Sequence, residues 1–443
     1  MLCDNLAQDK ADAEYQAWIP KFAKSLVSLA DLAKEYRGGK PIEICPVEKG
    51  SFNVCVRVRF EPDGKPDAMV RFPCPGRVKL PEEKVKNEVE VMQYLRDTVS
   101  TPIPRVLGYG VHELGPFIVM EFMDGERLSR LVMAETSGIQ CATLDLNLSQ
   151  GRLMTVYRNL ADVLIELSAL RFESIGSIAR NPQGSWAVSR RPLTYNTIDL
   201  LESANVQPNL EPSRTFTSSS EYLELLAAQH IHHLINQRND IIKDEADCRR
   251  KYTARHLFQK IVKNLPKDED TGPFPLFCDD LRFSNMLVDK QLNITALIDF
   301  EFFYAAPVQF MHCPPWYLLL APPEDYPQGL RAFASAFSDR VLLFLQALRE
   351  RENMAIQNGK LDESQRLSHR MQKTMDDGTF WVMYAARKSF AFDDIYWEFL
   401  DERFFGERKS FEERTQLLST EERLKLDEFV KMKMEQKEQR SLE

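Results

Sequence analysis

Residues 275–302 read PLFCDDLRFSNMLVDKQLNITALIDFEF. The apolar run Leu276, Phe277, Cys278 feeds an acidic loop over 279–285. Two further apolar runs, 286–288 and 294–298, flank the turn-forming DKQLN, which is the pattern of a short hairpin. The second run delivers Asp299. This spacing predicts that Asp280, Asn285 and Asp299 lie at the ends of short strands, close to one another. A base for a hydroxyl followed by two oxygen ligands for Mg²⁺ is the order of groups that phosphoryl transfer requires.

Phosphoryl transfer asks the protein for position and charge compensation more than for covalent work. A carboxylate at Asp280 would orient an incoming hydroxyl and accept its proton. Mg²⁺ takes hard oxygen ligands and is usually held by one or two protein groups plus phosphate oxygens, which suits Asn285 and Asp299. The motif Asp-x-x-x-x-Asn alone says little, because both residues also favour solvated loops. The second acid at a strand end, and the stretches upstream, give it weight.

Upstream, Val54, Val56 and Val58 alternate with Cys55, Arg57 and Arg59, a strand pattern. The turn EPDGKP at 61–66 and the run AMVRF at 68–72 predict its returning partner. Gly50, Ser51, Phe52 and Asn53 precede the first strand, where a loop over nucleotide phosphates is expected; an ordinary strand entry is the alternative. Arg71 stands where a phosphate-holding cation belongs, or else on an exposed sheet face. Pro81 opens a helix with acids in its first turn. Val85, Val89, Met92 and Leu95 form its apolar stripe, and Glu88 falls inside that stripe. A buried glutamate wants a cationic partner, and Arg71 is the natural one. The apolar run 117–120 ends in Glu121-Phe122-Met123-Asp124-Gly125, a strand running out into a hinge. Backbone groups of Glu121 and Met123 there could meet an adenine.

Residues 12–37 carry helical spacing and read as a preface packed on the body. Residues 153–170 are helical, 172–220 are loop-rich and a candidate substrate wall, and 221–265 return to helix. The His230, His232, His233 cluster reads as helix surface. Beyond Asp299, residues 300–316 hold no Ser or Thr and are stiffened by Pro307, Pro314 and Pro315. That segment reads as core and pocket wall, not as a loop switched by phosphorylation. Residues 331–352 and 365–404 read as helices, and 420–443 as a charged, peripheral or frayed helix.

The 443 residues suffice for more than one lobe with its own core. Fifty-seven basic against 66 acidic side chains leave a formal charge of −9, which argues against a nucleic-acid surface. No apolar run reaches the length of a membrane span, and the acidic first residues do not resemble a secretory signal. The eight cysteines are scattered with no CxxC pair, as expected of reduced thiols in the cytoplasm.

Assembled, these stretches resemble the aminoglycoside-phosphotransferase-like kinases, in particular their fungal branch. The matching pieces are GSFN (50–53), VRFP (70–73), NEVEVMQYL (87–95), PFIVMEF (116–122), ESIGSI (173–178), FCDDLRFSN (277–285), IDFEF (298–302) and AAPVQF with PPW (305–316). The resemblance implies an α+β, two-lobed, protein-kinase-like fold. A small, mainly antiparallel β lobe (41–125) is expected after an N-terminal helical extension (1–40). A larger helical lobe (126–350) follows, with an insertion near 172–265, and then a C-terminal helical extension (351–443). It implies ATP and Mg²⁺ in the cleft and a small-molecule hydroxyl as acceptor, with no nucleic-acid or membrane partner. Asp280 would be the base, Asn285 and Asp299 the metal ligands. Arg71 and Glu88 would hold the phosphates, with Ser51, Phe52 and Asn53 in the phosphate loop. Three positions depart from the family: Cys278 replaces a His two residues before the base, Arg71 replaces a lysine, and Glu301 replaces a Gly. Glu301 would either add an acid near the metal or face solvent. The alternative reading is a nucleotide-binding pseudokinase or scaffold without turnover.

Overall fold

Valines on alternate positions need a surface to bury against, and the chain provides two. The computed structural model describes residues 3–135, 142–208 and 210–442, so Cys141 lies outside the described residues. The other seven cysteines are free thiols. Strands Pro41–Ile44 (β1), Glu48–Lys49 (β2), Asn53–Phe60 (β3), Ala68–Pro73 (β4), Val106–His112 (β5) and Gly115–Glu121 (β6) form one antiparallel sheet. Its order is β1-β3-β4-β6-β5, with β2 paired to β3. Val54, Val56 and Val58 are buried on one face of β3, as the alternation requires.

Helices Asn5–Lys24 (α1) and Leu26–Arg37 (α2) cover that face. Tyr15, Trp18, Phe22, Leu29 and Ala33 join the three valines, Val70 and Phe72 in one core. The single helix expected over 12–37 is two, broken at Ser25, whose N–H donates to both Lys21 and Phe22 carbonyls. Close approach of α2 depends on Gly108: a Cβ there would lie 1.9 Å from the Tyr36 ring. On the sheet's other face lies helix Pro81–Thr98 (α3), with proline in its first turn. Its stripe, Val85, Val89, Met92 and Leu95, packs with Ile118 and Met120 in a core continuous with the large lobe.

Long helices dominate the large lobe, chiefly Gln150–Ala169, Ser219–Asn236, Glu245–Lys263 and Leu330–Gln357. The stretch 221–265 is therefore two helices. The loop-rich stretch 172–220 holds a hairpin, Ser177–Arg180 with Trp186–Arg190, and a helix, Tyr195–Ser203. The expected helix over 365–404 is a chain of short ones, broken first at Gly378, which takes a left-handed φ of 76°. Among the described residues, no helix is long and apolar enough to cross a membrane.

Two expectations are corrected here. The last helix, Thr420–Glu438, lies at the periphery, but it is docked rather than frayed. Ser419 and Glu422 form a capping box at its start, and Leu426 and Val430 are buried. Its Lys433 Nζ donates to the carbonyls of Ile235 (2.7 Å) and Gln237 (3.0 Å). The histidine cluster is not helix surface either, since His230 and His233 are buried. His230 Nδ1 meets Ser389 Oγ at 3.1 Å, and His233 Nε2 meets Gln237 Oε1 at 2.6 Å. Burial holds both imidazoles neutral, well below their usual pKa. Among the described residues, no group of three His, Cys, Asp or Glu side chains is arranged to hold a metal.

Candidate active site

Two three-stranded sheets carry the stretch 275–302. Strand Phe274–Cys278 lies between Arg171–Phe172 and Phe303–Ala305. The hairpin Met286–Val288 with Ile294–Leu297 pairs Met286 with Leu297. Ile298 N–H donates to the Asn285 carbonyl at 2.9 Å, so Asn285 and Asp299 leave the hairpin side by side. The Asn285 amide donates to the Asp280 carbonyl at 2.8 Å. That bond closes the acidic loop and leaves the Asn285 oxygen as the group to offer a cation. Asp299 adopts a left-handed φ of 70°, which Asp tolerates better than most residues. Backbone held this way at a site costs of order 1–3 kcal/mol and is fixed by its surroundings.

Asp280 is buried. Burial pushes its carboxyl up to about 6, the Arg282 guanidinium opposes that rise, and the neighbouring Asp299 and Glu301 charges add to it. Arg282 grips both oxygens, Nε to Oδ1 at 2.7 Å and Nη2 to Oδ2 at 3.0 Å. Where a His was expected, the Cys278 sulfur accepts the Asp280 N–H at 3.4 Å. A buried thiol, pushed well above its usual pKa by its apolar surroundings, thus serves as a loop support.

Arg71 is not an exposed sheet residue. It lies on β4, opposite Cys55 and Ile118 on the neighbouring strands, and is 6% exposed. Its guanidinium reaches Glu88 Oε1 with Nη1 at 2.7 Å, Asp299 Oδ1 with Nη2 at 2.7 Å and Glu301 Oε2 with Nη2 at 3.4 Å. Burial alone would raise Asp299, but the Arg71 charge outweighs it and holds the carboxyl below its usual value. Burial pushes Glu88 up, against the pull of Arg71 and Lys84.

Glu301 does not face solvent. It is 3% exposed and pairs with Lys84, a fully buried lysine on α3. Lys84 Nζ also donates to Asn53 Oδ1 at 2.8 Å, and Asn53 Nδ2 donates to Glu301 Oε2 at 3.1 Å. Asn53, Lys84 and Glu301 so form a closed triangle joining the start of β3, helix α3 and the segment after Asp299. The Asn53 side chain is committed to that triangle rather than to the hairpin tip. Phe52 likewise turns away from the tip and packs edge-on against Tyr195 and Phe302, each at 5.7 Å. Ser51 remains exposed at the tip of the β2–β3 hairpin. At the hinge, Glu121 N–H donates to the Arg105 carbonyl at 2.9 Å, so its own carbonyl is the backbone group left to meet a base. Met123 follows beyond the end of β6.

Sequence reasoning missed several groups. Lys84 precedes Glu88 by four residues, so helical spacing alone puts both on one face. Arg282 follows Asp280 by two. By contrast, Arg387 left no local signal. It is 108 residues from its partner Asp279, to which Nη1 donates at 2.9 Å, and it lies over the Phe277 and Phe310 rings. Its neighbour Lys388 lies 4.5 Å from the centre of the Tyr195 ring and 5.8 Å from that of Trp316.

The family model described as "Phosphotransferase enzyme family" matches residues 43–310. The chain belongs to this family. Its two-lobed fold, with an antiparallel sheet lobe and a larger helical lobe, is that of the aminoglycoside-phosphotransferase-like kinases, and family membership supports a phosphotransferase-type activity. Among curated proteins, this phosphotransferase-family chain is 24% identical over 266 residues to "Altered inheritance of mitochondria protein 9, mitochondrial" of Debaryomyces hansenii, covering 50% of this chain and 40% of that protein. It is 26% identical to "Clavilactone A biosynthesis cluster protein Y" of Ampulloclitocybe clavipes, covering 53% of each. The chain therefore spans about half, or less, of the length of these relatives. Solved structures similar to it include a macrolide 2'-phosphotransferase type I (13% identity, 85% of this chain and 95% of that one, TM-score 0.42). A GDP and kanamycin complex of APH(2")-IIIa matches at 18% identity over 82% and 94%, with a TM-score of 0.39.

Proposed function

We propose that the protein transfers the γ-phosphoryl group of ATP, with Mg²⁺, to a hydroxyl group of a small molecule. The observation that carries this reading is the Arg71 fork, which ties Glu88 of α3 to Asp299 of the acidic stretch. It joins the two lobes at the point where nucleotide phosphates would lie.

The donor set suits Mg²⁺. Asn285 keeps its amide oxygen once its nitrogen is bound to the Asp280 carbonyl, and Arg71 occupies only Oδ1 of Asp299. Two hard oxygens are what Mg²⁺ takes from protein when phosphates complete its shell. Bound there, the ion would supply positive charge to offset that of the phosphate oxygens. Asp280 orients the acceptor hydroxyl and receives its proton as the acceptor oxygen bonds to the γ-phosphorus. The bond from that phosphorus to the bridging oxygen breaks, and ADP leaves with the electron pair. Arg282 holds Asp280 in place and adds positive charge beside the transfer. Arg71 keeps α3 and Asp299 in register.

A small acceptor is favoured because residues 300–316 hold no Ser or Thr and are almost wholly buried, leaving no segment for switching by phosphorylation. The test is phosphoryl transfer from labelled ATP in a total metabolite extract, alongside calorimetric binding of Mg-ATP. Asp280→Asn is expected to bind Mg-ATP and to form no labelled product. Equal product formation by wild type and Asp280→Asn would remove Asp280 as the base. No Mg-ATP binding by the wild type would remove the phosphotransferase reading and favour a scaffold.

A further inference from the structure

Beside Asp280 there is a cation that the transfer step does not use. Lys388 lies past the end of the family match, in the C-terminal helical region. Its ammonium sits over two aromatic faces, Tyr195 at 4.5 Å and Trp316 at 5.8 Å. Those rings come from two other parts of the chain, the insertion helix Tyr195–Ser203 and the segment after Asp299. The position is built rather than incidental. Ser389 N–H donates to Asn196 Oδ1 at 2.8 Å, pinning the Lys388 turn to the insertion helix beside Tyr195. Arg387, the preceding residue, is fixed beneath the acidic loop by Asp279.

An ammonium has three donors, yet Lys388 makes no side-chain hydrogen bond and no ion pair with the described residues. Two carboxylates within its electrostatic reach, Asp280 and Asp199, make their close contacts with other groups. Asp280 is gripped by Arg282, and Asp199 accepts from Ser203 Oγ at 3.1 Å. Aromatic faces attract a cation but give it no hydrogen-bond acceptor in the plane of its N–H groups. The half-buried ammonium thus keeps its donors to offer an incoming anion, close enough to Asp280 to act on its charge.

We infer that Lys388 anchors an anionic group of the acceptor, a carboxylate or a phosphate ester, between Tyr195 and Trp316 while the acceptor's hydroxyl faces Asp280. The inference rests on the phosphotransferase reading above. It makes the substrate class a hydroxyl compound that already carries negative charge, and it assigns its recognition to Lys388 and Trp316, beyond the family match, together with Tyr195 within it.

The test uses the full chain, Mg-ATP labelled with ¹⁸O in the γ-phosphoryl group, and a total metabolite extract. Labelled products are isolated by mass and treated with a phosphatase. The released acceptor is then run on an anion exchanger at neutral pH. A carboxylate acceptor loses one phosphate and is still retained. A phosphate-ester acceptor loses two phosphates. A neutral or cationic acceptor loses one and is not retained, which overturns this inference and leaves the phosphotransferase reading standing. A wild-type protein that forms no labelled product overturns both. With the isolated acceptor, Lys388→Met is expected to raise KM roughly tenfold or more with a smaller change in kcat, and Lys388→Arg to recover most of the loss. Unchanged KM in Lys388→Met overturns the inference. If Lys388→Met does not fold, as judged by Mg-ATP binding, the charge of the released acceptor decides alone.

Discussion

One edge of the Arg71 guanidinium holds Glu88 at 2.7 Å while the other holds Asp299 at the same distance. A planar fork can span two carboxylates in this way; a lysine ammonium is a single point at the end of a flexible stem. Arg71→Lys should therefore keep the charge and lose one of the two contacts. A charge-assisted hydrogen bond is worth about 1.5–3 kcal/mol, so kcat/KM for ATP should fall by roughly 10- to 100-fold. Steady-state kinetics in ATP would show it, and wild-type values in Arg71→Lys would mean that the fork does not matter.

The raised carboxyl of Asp280 has a direct consequence for pH. A base works only when ionised, so kcat/KM should climb as pH rises through about 6 and level off above. Arg282 pulls that carboxyl down, and its removal in Arg282→Met should shift the rise to higher pH. A pH–rate profile that is flat between pH 5 and 8, in a range of about 3 units around neutral where His and raised carboxyls titrate, would assign the proton elsewhere.

Lys84 and Glu301 are both buried, so removing Lys84 leaves the Glu301 charge with only the 3.4 Å contact to Arg71 and the Asn53 amide. Breaking such a pair costs about 3–5 kcal/mol, whereas neutralising both partners costs much less. Urea unfolding should find Lys84→Met strongly destabilised and the double variant Lys84→Met with Glu301→Gln nearer to wild type. Additive losses in the double variant would show that the two residues act separately.

Cys278 is a sheltered thiol, not a nucleophile. Its neutral, buried state predicts that iodoacetamide labels it only in denaturant, while the partly exposed Cys3, Cys45 and Cys55 include sites open to faster reaction. Peptide mass mapping of native and unfolded protein reads this directly, and rapid native labelling at Cys278 would contradict it.

What the chain disclosed before folding was what local period and spacing can carry. Alternating valines gave the face of β3, and the helical stripe of α3 put Glu88 on its buried side. The run from Phe277 to Asn285 marked the acidic loop. Period says nothing, however, about which distant cation meets which carboxylate. Glu301 looked free to face water because its partner Lys84 lies on another element and over 200 residues earlier. The histidine cluster looked exposed because three polar residues in four suggest a solvated face; its burial follows from Phe258, Phe390 and Phe392 closing over two of the rings. The last helix looked loose because its charge pattern is polar on most sides, and its docking depends on carbonyls of the 235–237 turn that accept from Lys433.

Arg387 and Lys388 are adjacent in sequence and have different duties. One braces the acidic loop through Asp279, and the other lies over the rings of Tyr195 and Trp316. A chain cut back to its family-matched portion would lose both at once, and with them the brace on Asp279 and the cation over Tyr195. With Lys388 as the acceptor's anchor, as proposed, changes beyond residue 310 would alter which compounds are accepted while every phosphate-handling residue stays as it is.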